Sequence, residues 1–186
     1  MHPSKQTVLL GSSGRLPFNG EFYFHLELST LNIEIIGRVG SNQRPEDSWE
    51  SCLNIREALK EVEGEDPLSA TRSAWDRLLA IPRRDFGPNL GEDLSVMVVA
   101  RGKTRGALSA VGLKSIWSLS TDNQCTVIVG PDMPEVNNSG IPRLPPKALE
   151  LENPNTVFVG SINTADMPSQ SKVAALFPSY DERSKG

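Results

Sequence analysis

The hydrophobic residues of this chain change from alternation to helical spacing near residue 40, and that change constrains the fold more than any other feature. Before it, apolar and polar residues alternate over 22–28 and again over 31–35, on either side of Ser29-Thr30. Alternation is typical of half-buried strands, so this stretch predicts a β-hairpin that ends at Gly37. The alternating apolar residues are Phe22, Phe24, Leu26, Leu28, Leu31, Ile33 and Ile35.

Two amphipathic helices follow the hairpin. The first is predicted to begin at an N-cap, Asp47, and to stop at Gly64. The second begins at Asp66, followed by Pro67 at the first helical position, and ends at Pro82. Their predicted apolar faces are Trp49, Cys52, Leu53, Leu59 and Val62 in the first helix, and Leu68, Thr71, Trp75, Leu78 and Leu79 in the second.

A run of strands follows the helices. Leu94 to Ala100 is too apolar to be half exposed, which predicts a central strand. Ala107 to Val111 is the next strand, and Ser115 to Leu119 continues it after Gly112. The remaining predicted strands are Thr7–Leu10, Cys125–Val129 and Thr156–Val159, and residues 130–147, rich in proline and polar groups, predict a long surface loop. This order predicts an α+β fold with an antiparallel sheet covered by helices.

The length and the net charge of the chain limit the functions that it can have. The 186 residues suit one domain, at 20–165, with an N-terminal segment at 1–19 and a loose tail at 166–186. The net charge of −4 argues against sequence-independent nucleic-acid binding. The sequence has no apolar run of the roughly 18 residues that span a membrane. It has no export signal either, so we expect a cytoplasmic protein.

Few side chains suit catalysis. His2 is terminal and His25 lies on the polar face of a strand, so a histidine-rich metal site is excluded. The two cysteines, Cys52 and Cys125, could form one disulfide, but we interpret both as small buried residues. The sequence contains no nucleophile elbow and no phosphate-binding loop.

Carboxylates are the remaining candidates. Mg²⁺ and Mn²⁺ need several oxygen ligands from different strand ends. Glu21 begins the first long strand, and Glu92 and Asp93 open the central one, so these are the candidate ligands. The other carboxylates considered, Glu27, Glu34 and Asp47, are expected to be mostly solvated. The basic residues Arg101, Lys103 and Arg105 predict a solvated hairpin tip, or alternatively a contact with an anion or partner.

Order and spacing together resemble the metal-dependent Ser/Thr protein phosphatase (PPM) family, in its bacterial sporulation and stress-response branch. The segment from Gly20 to Phe24 resembles the family's first motif, G-D-x-Y, and the segment from Ile36 to Ser41 resembles the second, G-D-V-x-G-x-G. The strands 94–100 and 110–115 resemble its middle strand pair, and 156–163 resembles its T-D-G strand. The resemblance implies an antiparallel β-sandwich flanked by helices.

The resemblance also implies a degenerate metal site. In the family, the motif aspartates bind two metal ions that activate the attacking water. Their positions hold Glu21, Arg38 and Ile162 here, of which only the first carries a carboxylate. The segment 91–96 also resembles the family's last motif, so a second alignment, which would use Glu92 and Asp93, stays open.

Three functions are compatible with these residues. The first is a catalytically inactive phosphatase-like domain that needs no cofactor and binds another protein, such as a signalling component. The second is a divergent phosphatase for phosphoserine or phosphothreonine, which would use Mn²⁺ or Mg²⁺ at Glu21, Glu92 and Asp93. The third is a structural or assembly module, suggested by loop 130–147 and aromatic strand 22–24. No membrane or nucleic-acid partner is expected.

Overall fold

The computed structural model describes residues 7–10, 21–38, 45–82, 95–113, 115–119, 125–129, 144–154 and 156–161. The two helices are α1 (Pro45–Leu59) and α2 (Pro67–Ala80). The strands are β1 (Thr7–Leu10), β2 (Glu21–Glu27), β3 (Asn32–Arg38), β4 (Ser95–Arg101), β5 (Gly106–Val111), β6 (Ser115–Leu119), β7 (Cys125–Val129), β8 (Leu149–Leu151) and β9 (Val157–Ser161).

A five-stranded antiparallel sheet holds the predicted hairpin and the predicted central strand. Its order is β2-β3-β4-β5-β8, so β4 lies in the middle and is buried along its whole length. The short strand β8 was not predicted and forms one edge of this sheet. Strand β3 was predicted to be half buried, but Ile33, Glu34, Ile35 and Ile36 are all buried. The prediction was wrong because β3 is an inner strand with both faces covered.

The second sheet has four strands in the order β1-β9-β6-β7. Its β6–β7 and β6–β9 pairs are antiparallel, but β1 pairs with β9 in parallel, so this sheet is mixed. The two sheets pack face to face through a shared core cluster. That cluster includes Ile36, Met97 and Leu108 from the first sheet, and Ile116 and Phe158 from the second.

The chain passes from one sheet to the other at Gly112. The sequence predicted that β6 would continue β5, whereas the two strands belong to different sheets. Gly112 has a φ of 70°, in the left-handed region that glycine adopts without strain, and it allows the change of direction. The Ser95 hydroxyl donates a hydrogen bond to the Gly112 carbonyl oxygen (3.0 Å) and so ties this crossing to the start of β4.

Helix α1 departs from the prediction at both ends. It begins at Pro45, which suits a first helical position, so Asp47 lies inside the helix instead of capping it. It ends at Leu59 and does not extend to Gly64. Leu53 was assigned to the buried face, but it is exposed.

The buried face of α1 explains the position of Leu53. Cys52, Ile55 and Leu59 are buried at spacings of three and four residues, which defines one helical stripe. The next residue after Cys52 is rotated by about 100° from it. Leu53 therefore lies beside the stripe, and Ile55, absent from the predicted face, lies at its centre.

Helix α2 begins as predicted. The Asp66 carboxylate accepts hydrogen bonds from the backbone N–H groups of Leu68 (2.9 Å) and Ser69 (3.1 Å). The Ser69 hydroxyl accepts from the Asp66 N–H, which completes a capping box. Leu68, predicted to be on the apolar face, is 40% exposed because it belongs to the first turn, outside the buried stripe of Thr71, Trp75 and Leu78. Neither described helix is long and apolar enough to cross a membrane.

The helices cover the outer face of the five-stranded sheet. A second core cluster joins Ile55 and Trp75 of the helices to Ile35 and Val98 of the sheet. The indole N–H of Trp75 donates a hydrogen bond to the hydroxyl of Ser109 on β5, which satisfies both buried polar groups. The layers are therefore helices, five-stranded sheet and four-stranded sheet.

Candidate functional site

The strand register brings two of the predicted site positions together. Glu21 lies directly opposite Arg38 across the β2–β3 pair, and Arg38 lies directly opposite Ser95 across the β3–β4 pair. Directly opposed residues share one face of a sheet, with Cβ atoms about 5 Å apart. We call this end of the sandwich, with Glu21, Arg38 and Ser95, the motif end.

The second sheet contributes to the same end. Val111 finishes β5 opposite Val96, the chain crosses at Gly112, and β6 then starts at Ser115 opposite Ser161. The end of β9 therefore lies on the same side of the sandwich as the start of β4. Ile162 follows Ser161 directly in the sequence.

The remaining candidates fall outside the described residues. These are Ile162, Glu92 and Asp93. The last two precede Ser95 by three and two residues, so the chain connects them to the motif end. Sequence reasoning missed Ser95, whose small hydroxyl gives no signal before the register of β4 is known.

The three described positions of the motif end do not by themselves supply a ligand set for Mg²⁺ or Mn²⁺. The three opposed positions supply one carboxylate, one guanidinium and one hydroxyl, and the hydroxyl is already bonded to the Gly112 carbonyl. Hard divalent cations take several oxygen ligands, and a guanidinium is a permanent cation with no acceptor. Across the described ranges, no group of three His, Cys, Asp or Glu residues could hold a metal ion.

A buried ion pair lies between the sheets, toward the opposite end of the strands from the motif end. The Arg101 Nε donates to Glu34 Oε2 at 3.0 Å, and both side chains are almost fully buried. The sequence predicted Glu34 as a mostly solvated carboxylate and Arg101 as part of a solvated hairpin tip. Both predictions were wrong, because the two residues lie on the inner face of their strands, where the second sheet excludes water.

Arg101 also fixes the connection between β8 and β9. Its Nη1 donates to the carbonyl oxygens of Pro154 and Thr156, the latter at 2.7 Å. The guanidinium lies over the Phe158 ring, 4.9 Å from its centroid, at a cation–π distance. One side chain therefore links the five-stranded sheet to the start of β9.

Tyr23, from the first motif, completes this buried network. Its hydroxyl donates to Glu34 Oε1 at 2.8 Å. Burial, together with the charge of Glu34, raises the pKa of Tyr23 far above its usual value. Tyr23 is therefore a hydrogen-bond donor at any physiological pH and supports the strand that carries Glu21.

The other predicted polar residues stay near the surface. Lys103 and Arg105 are exposed in the β4–β5 turn, which Gly102 closes by donating its N–H to the Arg105 carbonyl (2.8 Å). For these two, the predicted hairpin tip is confirmed. His25 is half buried and lies opposite Glu34 in the β2–β3 register.

Cys52 is buried in the helix-facing core, as predicted. Burial raises the pKa of its thiol to about 11, so the thiol is protonated and inert at neutral pH. The structure records Cys52 as a thiol. The side chain of Cys125 lies outside the described part of the chain.

Comparison with solved structures identifies the fold. The serine/threonine phosphatase of S. agalactiae aligns over 92% of this chain and 86% of its own, with a TM-score of 0.56 and 13% identity. A Mycobacterium tuberculosis chain with RsbU and RsbW domains aligns over 78% of this chain and 39% of its own, with a TM-score of 0.54 and 11% identity. This chain thus spans well under half of the mycobacterial one. No protein-family model and no curated protein matches the sequence.

These similarities confirm the predicted fold. The chain has the α+β fold of the metal-dependent Ser/Thr phosphatases, with an antiparallel five-stranded sheet under two helices. At 11–13% identity they establish the fold and not the chemistry.

Proposed function

We propose that this chain is a catalytically inactive phosphatase-like domain that acts as a protein-binding regulatory module. The observation that carries the proposal is the position of Arg38, directly opposite Glu21 at the motif end. In the resembled family both positions hold metal-binding aspartates. Here a cation replaces one of the two.

Replacing an aspartate by Arg38 reverses the charge at this position, which strongly disfavours metal binding. Arginine stays protonated at every physiological pH, so Arg38 cannot become a ligand by losing a proton. A guanidinium about 5 Å from a divalent ion costs about 7 kcal/mol at an effective dielectric constant of about 20.

The described part of the scaffold is well packed, which favours a role that depends on shape. Both core clusters consist of buried hydrophobic residues, and the Glu34–Arg101 ion pair is buried between the sheets. A fold that keeps its packing while its metal site is replaced can still present surfaces to another protein. A regulatory partner fits this pattern better than a substrate does.

Hydrolysis of a phosphoserine peptide and of an aryl phosphate, each with Mn²⁺ present, tests the proposal. We expect no turnover above the buffer rate, because the attacking water needs metal ions to lower its pKa. Metal-dependent turnover would overturn the proposal and favour the divergent phosphatase that uses Glu21, Glu92 and Asp93.

A gain-of-function pair sharpens the test. The double variant Arg38→Asp and Ile162→Asp restores carboxylates at two motif positions, so we expect it to bind Mn²⁺ where the natural chain does not. Arg105→Asp is the matched control for the Arg38→Asp part of the double variant, because it makes that same change of residue and charge in the exposed β4–β5 turn. Equal Mn²⁺ binding by the control and the double variant would show a general charge effect and would contradict the assignment of Arg38.

A further inference from the structure

Strand β2 forms one edge of the five-stranded sheet, and among the described strands it has a neighbour on one side only. Natural sheets protect exposed edges with lysine, proline, bulges or very short strands. The opposite edge, β8, has only three residues, whereas β2 has seven and contains neither lysine nor proline. Its register with β3 runs without a bulge. This edge is therefore one to which a further strand can be added.

The hairpin register shows which backbone groups of β2 point away from β3. The Leu28 N–H donates to the Leu31 carbonyl oxygen (2.9 Å), so these two residues form a hydrogen-bonded pair. Hydrogen-bonded and non-hydrogen-bonded pairs alternate along an antiparallel ladder. His25 and Glu27 therefore belong to non-hydrogen-bonded pairs with β3, and their N–H and C=O groups point outward from the edge.

The side chains along this edge are only partly covered by the protein itself. Every residue from 23 to 30 is half-buried or exposed. Phe24, Leu26 and Leu28 pack against the core cluster under the helices, but none of them is fully buried there. A further strand would remove more of their surface from water, which is favourable by about 25 cal/mol per Å².

The sequence of β2 is complementary to a second copy of itself. In the antiparallel register centred on Leu26, this residue lies opposite Leu26 of the second copy, and Phe24 lies opposite Leu28. The same register places His25 opposite Glu27, and these are the residues whose backbone groups point outward. Apolar pairs and pairs of opposite polarity across strands contribute about 0.2–1 kcal/mol each. A twofold axis repeats each pair, as a closed dimer requires.

Neighbouring registers are less favourable than the one centred on Leu26. Moving the centre to Phe24 places Glu21 opposite Glu27 twice, and like charges directly opposite each other destabilise a strand pair. Moving it to His25 places two imidazoles opposite each other, and each loses its pairing with a carboxylate. Charge therefore selects the register centred on Leu26.

We propose that this protein forms a symmetric dimer in which β2 pairs with β2 of a second copy, from residue 23 to residue 29. The pairing joins the two five-stranded sheets into one continuous sheet. A strand pair of this length buries less surface than a standard interface of about 1,600 Å², so we expect a weak dimer with a Kd of about 10–100 μM.

This dimer goes beyond the proposed function and does not include Glu21 or Arg38. A chain that stays monomeric would leave the absence of turnover untouched. Metal-dependent turnover by the natural chain would likewise leave the dimer standing.

Sedimentation equilibrium of the full chain between about 1 and 500 μM tests the association. We expect the average mass to rise from that of the monomer toward that of the dimer. His25→Pro should stay monomeric, because proline removes an outward N–H and leaves the hydrogen bonds to β3 in place. Circular dichroism checks that this variant is folded.

A charge variant tests the pairing of His25 with Glu27. His25→Lys should tighten the dimer about two- to tenfold, because it places a full positive charge opposite each Glu27. Thr126→Lys is the matched control, because it adds the same charge at an exposed position of β7 and should leave the equilibrium unchanged.

Disulfide cross-linking tests the register directly. Leu26→Cys places two thiols at a directly opposed, non-hydrogen-bonded pair, with Cα atoms about 4.5 Å apart, which is within the range of a disulfide. Leu28→Cys is the matched control, because the same substitution places its two copies four residues apart along the strands, about 14 Å. Mild oxidation should give a covalent dimer with the first variant and only the background of the natural chain with the second.

Several outcomes would overturn the proposal. These are a chain that stays monomeric over the whole concentration range, a dimer that His25→Pro or His25→Lys leaves unchanged, and equal covalent yields from Leu26→Cys and Leu28→Cys. Growth of the natural chain into larger oligomers would also overturn it, because one edge used in a twofold pair closes the assembly.

Discussion

Replacing Arg101 by methionine should cost this protein a large part of its stability. The guanidinium donates to Glu34 Oε2 and to the carbonyl oxygens of Pro154 and Thr156, and it lies over the Phe158 ring. Methionine fills a similar volume but donates no hydrogen bond. The variant therefore leaves a buried carboxylate and two carbonyl groups without this donor.

The expected loss follows from that arrangement. Removing one partner of a buried ion pair costs about 3–5 kcal/mol, because an uncompensated charge stays buried. Arg101 is 7% exposed, so solvent cannot take over its role. The total stability of a domain is about 5–15 kcal/mol, so Arg101→Met should shift the denaturation midpoint severely.

Urea unfolding followed by tryptophan fluorescence measures this loss. The double variant Arg101→Met with Glu34→Gln removes the buried charge but keeps an oxygen to accept from Tyr23, so it should recover part of the stability. A loss of less than about 1 kcal/mol in the single variant, which is the range of an exposed ion pair, would contradict a structural role for the buried pair. A double variant no more stable than the single one would also contradict it.

Three further predictions concern the sheet, a cap and a thiol. Gly37→Ala should destabilise the protein by about 1–3 kcal/mol in urea unfolding, because the new Cβ would lie 2.5 Å from the Phe22 ring and 2.6 Å from a backbone oxygen; unchanged stability would contradict that close contact. Asp66→Ala should cost about 1 kcal/mol by removing the α2 cap. Hydrogen bonds from backbone N–H groups of the first turn lower the pKa of the Asp66 carboxyl in the folded protein. The stability that the cap contributes should therefore be complete above the pKa of Asp66 in the unfolded chain, and should be lost as the pH falls through its pKa in the folded protein. A stability loss in Asp66→Ala that persisted in acid would contradict this pH dependence. Burial raises the pKa of the Cys52 thiol from 9.0 to about 11, so Cys52 should react with a thiol reagent far more slowly in the folded protein than in urea. The protein should also lose stability as the pH rises from 9 to 11, because the thiol of the unfolded chain loses its proton first. Equal reaction rates in the folded protein and in urea would show that the thiol is accessible.

The strands were predictable where a single period decides their structure. The β2–β3 hairpin and the central strand β4 follow from alternation and from an unbroken apolar run. The cap of α2 followed from Asp66 and Pro67, because this pair has one physical role at a helix start. The start of α1 was missed because Pro45 and Asp47 both carry start signals, and local pattern alone does not choose between them.

The inner side of the sandwich was less predictable. Glu34 alternates with Ile33 and Ile35, so its face looked solvated until a second sheet was known to cover it. Its partner Arg101 is 67 residues away, a separation at which no local pattern carries information. The crossing at Gly112 was hidden for the same reason, since no local pattern shows that β5 and β6 belong to different sheets.

Part of the motif end was predictable from the sequence, and part of it depended on the tertiary structure. The motif remnants located Glu21 and Arg38 in the sequence, and the register then placed them directly opposite each other. Ser95 and the contribution of β9 depended on tertiary pairing and came only from the structure.

Calorimetric titration of the natural chain with Mn²⁺ tests directly whether Arg38 has replaced a metal-binding position in a phosphatase fold. We expect no saturable binding heat with Mn²⁺, and none with Mg²⁺. Saturable binding of two Mn²⁺ ions with a micromolar Kd would contradict this expectation, and would mean that the site is built from Glu21, Glu92 and Asp93 instead.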